Sequence, residues 1–401
     1  MVNTIQFAKP VAENYPFRIK ISRADLAHEI LLLAYPSSRI PGRPLGALDL
    51  VPRMSSASEF VKPPMHHYCT YFDCQYLERG LAMIRTLRRV DPGCMITVLC
   101  LTPECERALL RVQEPQVRLL RLQDFEHDNP DLLSVKGTRS SLEYYFTLSG
   151  CIVTAVLELV EANDIVTYVD ADLLFYSSVE PIYEEMANAS VGLIPHRYHW
   201  WKKHNIRFGR FNVGWVSFRC DAAGREAATW WHHRCVEWCH DYVEGDRFAD
   251  QKYLDHIFER FPKVIEITHP GANVAPWNIG RHAITKTPGG VLLVDREWPL
   301  IFFHFQGLKE IEPGFYLANH LPYLAPFSRS LRLDLYQPYV NLLSQIRREI
   351  GGVPSNAPRL ARRGSAKVSF KHRLFRLRSI MLRWAARWAG HYVTEAPLEG
   401  E

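Results

Sequence analysis

The sequence predicts an α/β fold, in which a mostly parallel sheet is flanked by helices. Apolar runs of strand length alternate with helical stretches of roughly 10–15 residues, as in parallel strands joined by crossover helices. Residues 165–169 are strand formers and lead into the apolar run 173–176, which predicts a strand buried on both faces of the sheet. With 401 residues, 47% of them hydrophobic, the chain can bury a sizeable core.

The predicted elements follow one another without internal repeats. The core begins with a strand at 66–71 and a helix at 76–90, which Asp91-Pro92-Gly93 ends. Further along we expect strand 95–101, helix 103–112, strand 117–120, helix 142–162, strand 165–169 and later strands at 190–195, 215–219 and 299–305.

Composition divides the chain into a core and flanking regions. Residues 1–62 carry no motif that indicates a role, and 63–350 form the core domain. The linker 351–366 opens with Gly, Pro and Ser, which favour loops. It is followed by a helix at 367–390 and an acidic tail at 391–401.

Several protein classes are excluded by composition. No run approaches 18 apolar residues, so no transmembrane helix is predicted. The first residues lack the charged and apolar regions of a secretory signal. The nine cysteines include no Cys-x-x-Cys pair, and we expect reduced thiols in the cytosol. The alternative is a zinc site formed by Cys235 and Cys239 with the neighbouring histidines 232, 233 and 240.

The net charge of +5 arises in the C-terminal region. Residues 359–387 contain ten Lys/Arg and no Asp/Glu, so the rest of the chain sums to −5. Apolar residues recur there at helical spacing: Phe370, Leu374, Leu377, Met381, Trp384 and Trp388. A basic amphipathic helix with Trp typically lies in a membrane interface. We therefore expect 367–390 to bind an anionic membrane surface. Docking on the acidic body is the alternative, and nucleic acid is the least favoured partner.

Two aspartates, Asp170 and Asp172, end the strand predicted at 165–169. Side chains at i and i+2 of an extended chain point to the same face, so the carboxylates converge. Ligands of parallel sheets bind beyond the carboxyl ends of the strands. Two hard oxygen ligands there suit Mg²⁺ or Mn²⁺, and hence a diphosphate. Asp-x-Asp also occurs by chance on solvated loops, but acids at the end of an apolar strand are costly to leave unpaired.

Four other segments accompany these aspartates: 68–73 with 76–81, Arg139 with 143–146, 211–215 with 250–254, and 302–309. Together they make residues 61–325 resemble nucleotide-sugar-dependent glycosyltransferases of the GT-A fold, in particular the glycogenin-like and lipopolysaccharide galactosyltransferase-like group. The resemblance implies a Rossmann-like, mostly parallel sheet. It also implies a metal ion and a nucleotide-diphosphate sugar as the donor, which we expect to be UDP-linked.

The resemblance assigns roles to individual residues. Asp170, Asp172 and His304 would hold the metal, and Thr70 and Tyr71 would contact the nucleotide. Arg139 would reach the sugar or the diphosphate, and Asn212, Asp250 and Gln251 would line the donor sugar as catalytic groups. Gly307 would let the backbone approach the diphosphate closely, and Lys309 would neutralise the charge of the diphosphate.

Some of these assignments have simpler alternatives. Arg139 could be solvated at a helix N-terminus, Asp250 could cap a helix, and His304 could be a core histidine. Lys309 follows His304 by five residues, whereas the family usually has six and a Pro-Trp afterwards. Imidazole is softer than carboxylate, so the set Asp, Asp and His favours Mn²⁺ over Mg²⁺.

The expected function is transfer of a sugar to a glycan or lipid-linked acceptor in cell-surface polysaccharide synthesis, with retention of configuration, on the cytoplasmic face of the plasma membrane. The aromatic stretch 196–204 and residues 275–278 are the expected acceptor side. A nucleotidyltransferase would need a Gly-rich basic loop, and 70–75 has neither glycine nor Lys/Arg. A non-catalytic scaffold would be expected to lose a metal ligand, yet all three are present.

Overall fold

The computed structural model describes residues 63–351 and 390–395. The strands are β1 His66–Phe72, β2 Met95–Cys100, β3 Val117–Arg121, β4 Ile165–Val169, β5 Leu173–Phe175, β6 Val191–Pro195, β7 Phe211–Arg219, β8 Val264–Glu266, β9 Ile284–Lys286, β10 Leu292–Val294, β11 Trp298–Pro299, β12 Phe302–His304, β13 Lys309–Glu312, β14 Phe315–Leu317 and β15 Tyr392–Thr394. The α-helices are α1 Leu77–Val90, α2 Pro103–Val112, α3 Leu122–Asp128, α4 Pro130–Val135, α5 Ser141–Leu157, α6 Glu180–Met186, α7 Ala222–Glu237, α8 Tyr253–Arg260 and α9 Gln337–Glu349.

The central sheet has seven strands in the order β3-β2-β1-β4-β7-β6-β8. The pairs β1–β2, β2–β3, β1–β4 and β6–β8 are parallel, and β7 runs antiparallel to both of its neighbours. The predicted fold class, an α/β fold on a mostly parallel sheet, is confirmed.

Both faces of the sheet are covered. On β4, Ile165 and Val169 belong to one buried cluster, whereas Val166 and Tyr168 belong to the other. Helix α5, on the second face, begins with a capping box in which Ser140 and Glu143 satisfy each other's backbone N–H groups. The predicted two-sided burial of this strand is therefore confirmed.

The predicted elements recur with shifts that have physical reasons. Strand β7 begins at Phe211 and not at 215, because Phe211 pairs with Pro195 of β6 and the Gly214 carbonyl accepts from the Asp170 N–H. The single strand predicted at 299–305 was wrong. The segment divides into β11, which pairs with β10, and β12, which pairs with β5.

The C-terminal end of the described chain returns to the body. Strand β15 pairs with β14, and Val393 is buried, so part of the predicted acidic tail is a strand of a small sheet. The extension 1–62 and the basic helix, apart from Gly390, lie outside the described residues. Among the residues described, no helix has the length and apolar character needed to cross a membrane.

Candidate metal centre

Three side chains meet beyond the end of β4. Each of Asp170, Asp172 and His304 offers one ligand atom, and these atoms lie within 4.8 Å of one another. The His304 Nε2 atom is 3.1 Å from Asp172 Oδ1 and 3.7 Å from Asp170 Oδ2. Within residues 63–351 and 390–395, this is the only group of three or more His, Cys, Asp or Glu side chains whose potential ligand atoms lie so close to one another.

Strand pairing explains how a histidine 132 positions away reaches the aspartates. β5 begins directly after Asp172 and pairs antiparallel with β12, so that Leu173 lies opposite His304. The Phe305 N–H donates to the Asp172 carbonyl at 3.0 Å and extends this pairing. Backbone hydrogen bonds therefore fix the His304 ring beside the carboxylates.

The three groups shift one another's ionisation. Burial raises the pKa of Asp170, and the nearby Asp172 adds to the increase. Burial also disfavours the charged form of Asp172, but His304 and Arg79 together hold its pKa below the ordinary value. The pKa of His304 rises despite burial because both aspartates face it. A cation bound here would require the unprotonated imidazole, because a histidine ligand must give up its proton.

His304 is held on its other side by packing. A Cβ at Gly214 would lie 2.9 Å from the His304 ring and 2.6 Å from Asn212 Oδ1, so only glycine fits here. The Trp277 ring meets the imidazole edge-on, with 5.0 Å between centroids. The Nδ1 atom of His304 is buried without a hydrogen-bond partner. With two carboxylates and one oriented imidazole, the site fits a divalent cation.

A polar cluster adjoins this centre. The Asn212 amide donates to Gln251 Oε1 at 3.4 Å and to His196 Nε2 at 3.3 Å, and it accepts from the Gly214 N–H. His196 Nδ1 donates in turn to the Arg210 carbonyl. Burial lowers the pKa of His196 to about 3, so the ring is neutral. Asn212 and Gln251 are thus held in fixed orientations by these hydrogen bonds.

Asp250 is buried beside the same cluster. It accepts a 2.6 Å hydrogen bond from the Ser149 hydroxyl, which in turn accepts from the Tyr71 hydroxyl at 3.1 Å. Burial raises the pKa of Asp250 to about 7. The alternative that Asp250 caps a helix was wrong, since α8 begins at Tyr253 with Lys252 at its N-cap.

Other predicted residues are placed as follows. The Thr70 hydroxyl is fully buried without a partner. Gly307 has φ +72°, and a Cβ there would collide with Asn319, so the 305–309 turn requires glycine. Lys309 is exposed at the start of β13.

Arg139 does not point to the metal centre. Its guanidinium donates to the carbonyls of Cys235 and Val236 and to the Thr147 hydroxyl, which joins α5 to the end of α7. Both the donor-binding assignment and the solvated alternative are therefore corrected, because backbone carbonyls occupy this cation.

Arg79 is a site residue that motif reasoning missed. Its charge acts on Asp172, and it lies in the first turn of α1. A cation in the first turn of a helix is disfavoured by the helix dipole, and this was the signal in the sequence that could have revealed it.

The cysteines are free thiols, as expected. All nine are unpaired. Near the proposed zinc alternative, His232 Nδ1 shares a hydrogen bond with Thr154, and His240 Nδ1 lies 3.0 Å from Glu143. The histidines beside Cys235 are thus engaged with other groups, and the zinc alternative gains no support.

Comparison with known proteins finds similar chains in Bacillus subtilis. The chain is 36% identical to the uncharacterized protein YfnF of Bacillus subtilis (strain 168) over 253 residues, which are 60% of this chain and 81% of YfnF. It is 28% identical to the uncharacterized protein YfnD of the same strain over 278 residues, 68% of this chain and 87% of YfnD. No family model matches the chain.

Solved structures also show a likeness. The galactosyltransferase LgtC, in complex with donor and acceptor sugar analogues, superposes with a TM-score of 0.44 at 16% identity. The alignment covers 71% of this chain and 99% of LgtC.

The fit between Gly214 and His304 yields the first prediction. Gly214→Ala forces a Cβ against the imidazole, so we expect weaker Mn²⁺ binding and a loss of about 1–3 kcal/mol in the free energy of unfolding. Calorimetric titration with Mn²⁺ and denaturant unfolding measure the two effects. The matched control is Gly192→Ala on β6, where the new Cβ meets the movable Met186 side chain. Equal Mn²⁺ affinities in the two variants would contradict the packing role of Gly214.

Asp250 yields a second prediction. Its folded pKa lies above the ordinary value of 3.8, so its contribution to stability is present below pH 3.8 and is lost as the pH rises towards 7. Asn does not titrate, so the free energy of unfolding of Asp250→Asn should rise relative to wild type between pH 4 and pH 8, by at most about 4 kcal/mol. Denaturant unfolding of metal-free protein tests this, with the exposed Asp131→Asn as control. A difference that stays constant with pH would refute it.

Proposed function

We propose that this chain, which belongs to one family with YfnF of Bacillus subtilis, is a metal-dependent glycosyltransferase that uses a nucleotide-diphosphate sugar. The observation that carries the proposal is the convergence of Asp170, Asp172 and His304 beside the buried Asn212 and Asp250 and the half-buried Gln251. A divalent cation and a set of oriented amides and carboxylates are the two things that this chemistry needs.

The first part of the site would hold the metal and the leaving group. The bound cation would neutralise the charge that develops on the nucleoside diphosphate as the glycosidic bond breaks. Asp170, Asp172 and His304 would hold it, and we favour Mn²⁺ over Mg²⁺ because of the imidazole. Gly307 allows the 305–309 turn its positive φ against Asn319, and the exposed Lys309 at the end of this turn can approach the diphosphate.

The second part of the site would hold the sugar. The amide of Gln251 is oriented by Asn212 and by the Phe208 carbonyl, so its oxygen is fixed on one side. A fixed amide or carboxylate oxygen can stabilise an oxocarbenium-like transition state. We assign this role to Gln251 and Asp250, and hydroxyl recognition to Asn212. Retention of configuration is part of the proposal.

The acceptor side would be aromatic. Trp277 lies against His304 on one side and near Tyr323 on the other, at 6.4 Å between centroids. Trp200 is 71% exposed at the start of the 3₁₀ segment Trp200–Phe208. An exposed ring such as that of Trp200 suits a glycan or lipid-linked acceptor, in keeping with synthesis of a surface polysaccharide.

The basic amphipathic segment supplies the proposed location. Its sequence supports attachment of residues 367–390 to the anionic inner face of the plasma membrane. Strand β15 follows this segment and is packed on β14, so a truncation would also remove part of the folded body. Substitution is the cleaner test.

Loss of one carboxylate should abolish activity. Asp172→Asn removes a charged ligand, so we expect Mn²⁺-dependent hydrolysis or transfer across a panel of nucleotide sugars to fall by at least about a hundredfold. The control is Asp131→Asn, the same replacement at an exposed position of α4, which should leave activity unchanged. Wild-type turnover with unchanged metal dependence in Asp172→Asn would exclude the proposed metal site. A wild-type protein without activity on any donor of the panel would count against the proposed function.

Removal of charge should release the protein from vesicles. Arg376, Arg378 and Arg383 replaced together by Gln should weaken binding to phosphatidylserine vesicles on the order of a hundredfold, since each basic residue near the surface contributes roughly 1 kcal/mol. Added salt should also weaken vesicle binding by the wild type, because it screens surface charges. The matched control replaces the exposed Arg107, Arg111 and Arg118 by Gln. If both triple variants bind equally, the membrane proposal fails.

A further inference from the structure

Arg79 is the charged group near the metal centre that the proposed chemistry has not yet used. It occupies the third residue of α1, where the unpaired N–H groups of the first helical turn already create a positive potential. A second positive charge at this position lowers the stability of the helix, so its presence requires a compensating partner.

The contacts of Arg79 account for part of its hydrogen-bonding capacity. Its Nη2 donates to the Leu308 carbonyl at 2.5 Å, directly after Gly307. The guanidinium also lies over the Tyr76 ring, 4.9 Å from its centroid. Both contacts keep the planar group in one orientation against the 305–309 turn.

The rest of that capacity is unused. The Nη1 atom of Arg79 is buried and has no hydrogen-bond partner. The hydroxyl of Tyr339, whose ionisation Arg79 also influences, is buried without a partner as well. A buried cationic donor without an acceptor is costly, and a guanidinium presents its donors in a rigid fork that suits phosphate oxygens.

Backbone hydrogen bonds connect Arg79 to the metal centre. The Leu308 N–H donates to the Phe305 carbonyl at 3.0 Å, and the Phe305 N–H donates to the Asp172 carbonyl at 3.0 Å. The turn that holds the Arg79 guanidinium is therefore hydrogen-bonded to the segment that carries Asp172. A group bound between the metal and the 305–309 turn would be within reach of Arg79.

We propose that Arg79 binds the diphosphate of the nucleotide-sugar donor, with Nη2 held by the Leu308 carbonyl and Nη1 free to donate to a phosphate oxygen. The inference rests on the proposed function. It assigns to the first turn of α1 a positive contact on the leaving group, in addition to the metal and Lys309. Tyr76 serves as the positioning residue beneath the guanidinium.

The test compares ligands that differ by one phosphate. Calorimetric titration with UDP, GDP, ADP and CDP in the presence of Mn²⁺ identifies the base that binds, and the matching nucleoside monophosphate is then titrated in the same buffer. We expect Arg79→Gln to lose about ten- to hundredfold in affinity for the diphosphate and much less for the monophosphate, as is typical of a charge-assisted hydrogen bond.

Two further variants separate binding from structure. Arg79→Lys keeps the charge but lacks the planar fork whose two nitrogens face the Leu308 carbonyl and the phosphate, so it should recover only part of the diphosphate affinity. Arg89→Gln is the matched control, since Arg89 lies on the same helix and also donates to a backbone carbonyl, that of Phe175, at 3.0 Å. Its ratio of diphosphate to monophosphate affinity should equal that of the wild type.

The outcomes are distinguishable. An unchanged affinity ratio in Arg79→Gln, with a lowered melting temperature, would show that Arg79 only fastens the 305–309 turn to α1, and the inference would be overturned. An unchanged ratio with unchanged stability would equally overturn it, and would leave Nη1 to a buried water shared with Tyr339. If the wild type binds no nucleoside diphosphate at all in Mn²⁺, the proposed function itself fails, whatever the variants do.

Discussion

The short antiparallel pairing between β5 and β12 is the interaction on which the site depends. Asp170 and Asp172 lie at the carboxyl end of a central strand because they directly follow β4 in the sequence. The central sheet does not by itself bring His304 to the same place. Three residue pairs, from Phe302 with Phe175 to His304 with Leu173, bring the second half of the chain to the aspartates. Because β5 starts one residue after Asp172, the register of this pairing fixes the distance between imidazole and carboxylate, and a shift by one residue would turn His304 to the opposite face.

The energetic cost of placing three ionisable groups beside the core explains which side chains surround them. Two carboxylates and an imidazole lie at the edge of a core that contains Trp215, Phe302 and Phe175, and charges in such a place are stable only when paired. His304 and Arg79 supply positive charge, and the Tyr168 hydroxyl donates to Asp170 at 2.9 Å. The pairing remains incomplete, as the shifted pKa of Asp170 indicates. A divalent cation would complete it, so the charge balance and the proposed function lead to the same conclusion.

The sequence predicted the parts of the fold that follow from local pattern. The strand 165–169, its two-sided burial and the convergence of Asp170 with Asp172 need only the period of an extended chain. The meeting of His304 with these aspartates came from family resemblance, since no local pattern encodes a pairing between segments 130 positions apart. Arg139 was misassigned because a helix N-terminus says nothing about which carbonyls lie opposite, and here the end of α7 captures it. Arg79 was missed because it belongs to no motif, although its place in a first helical turn is unfavourable without a partner.

One arginine of α9 connects the first turn of α1 with β13 and with the end of β15. Arg347 pairs with Glu78, the neighbour of Arg79, with Glu310, the neighbour of Lys309, and with Glu395, which directly follows β15. Arg79 and Lys309, the two residues assigned to the diphosphate, therefore lie on elements that one guanidinium holds together. Removal of that guanidinium would leave three partly buried carboxylates without their shared partner, so a change at Arg347 would weaken the contacts of α1, β13 and β15 at once.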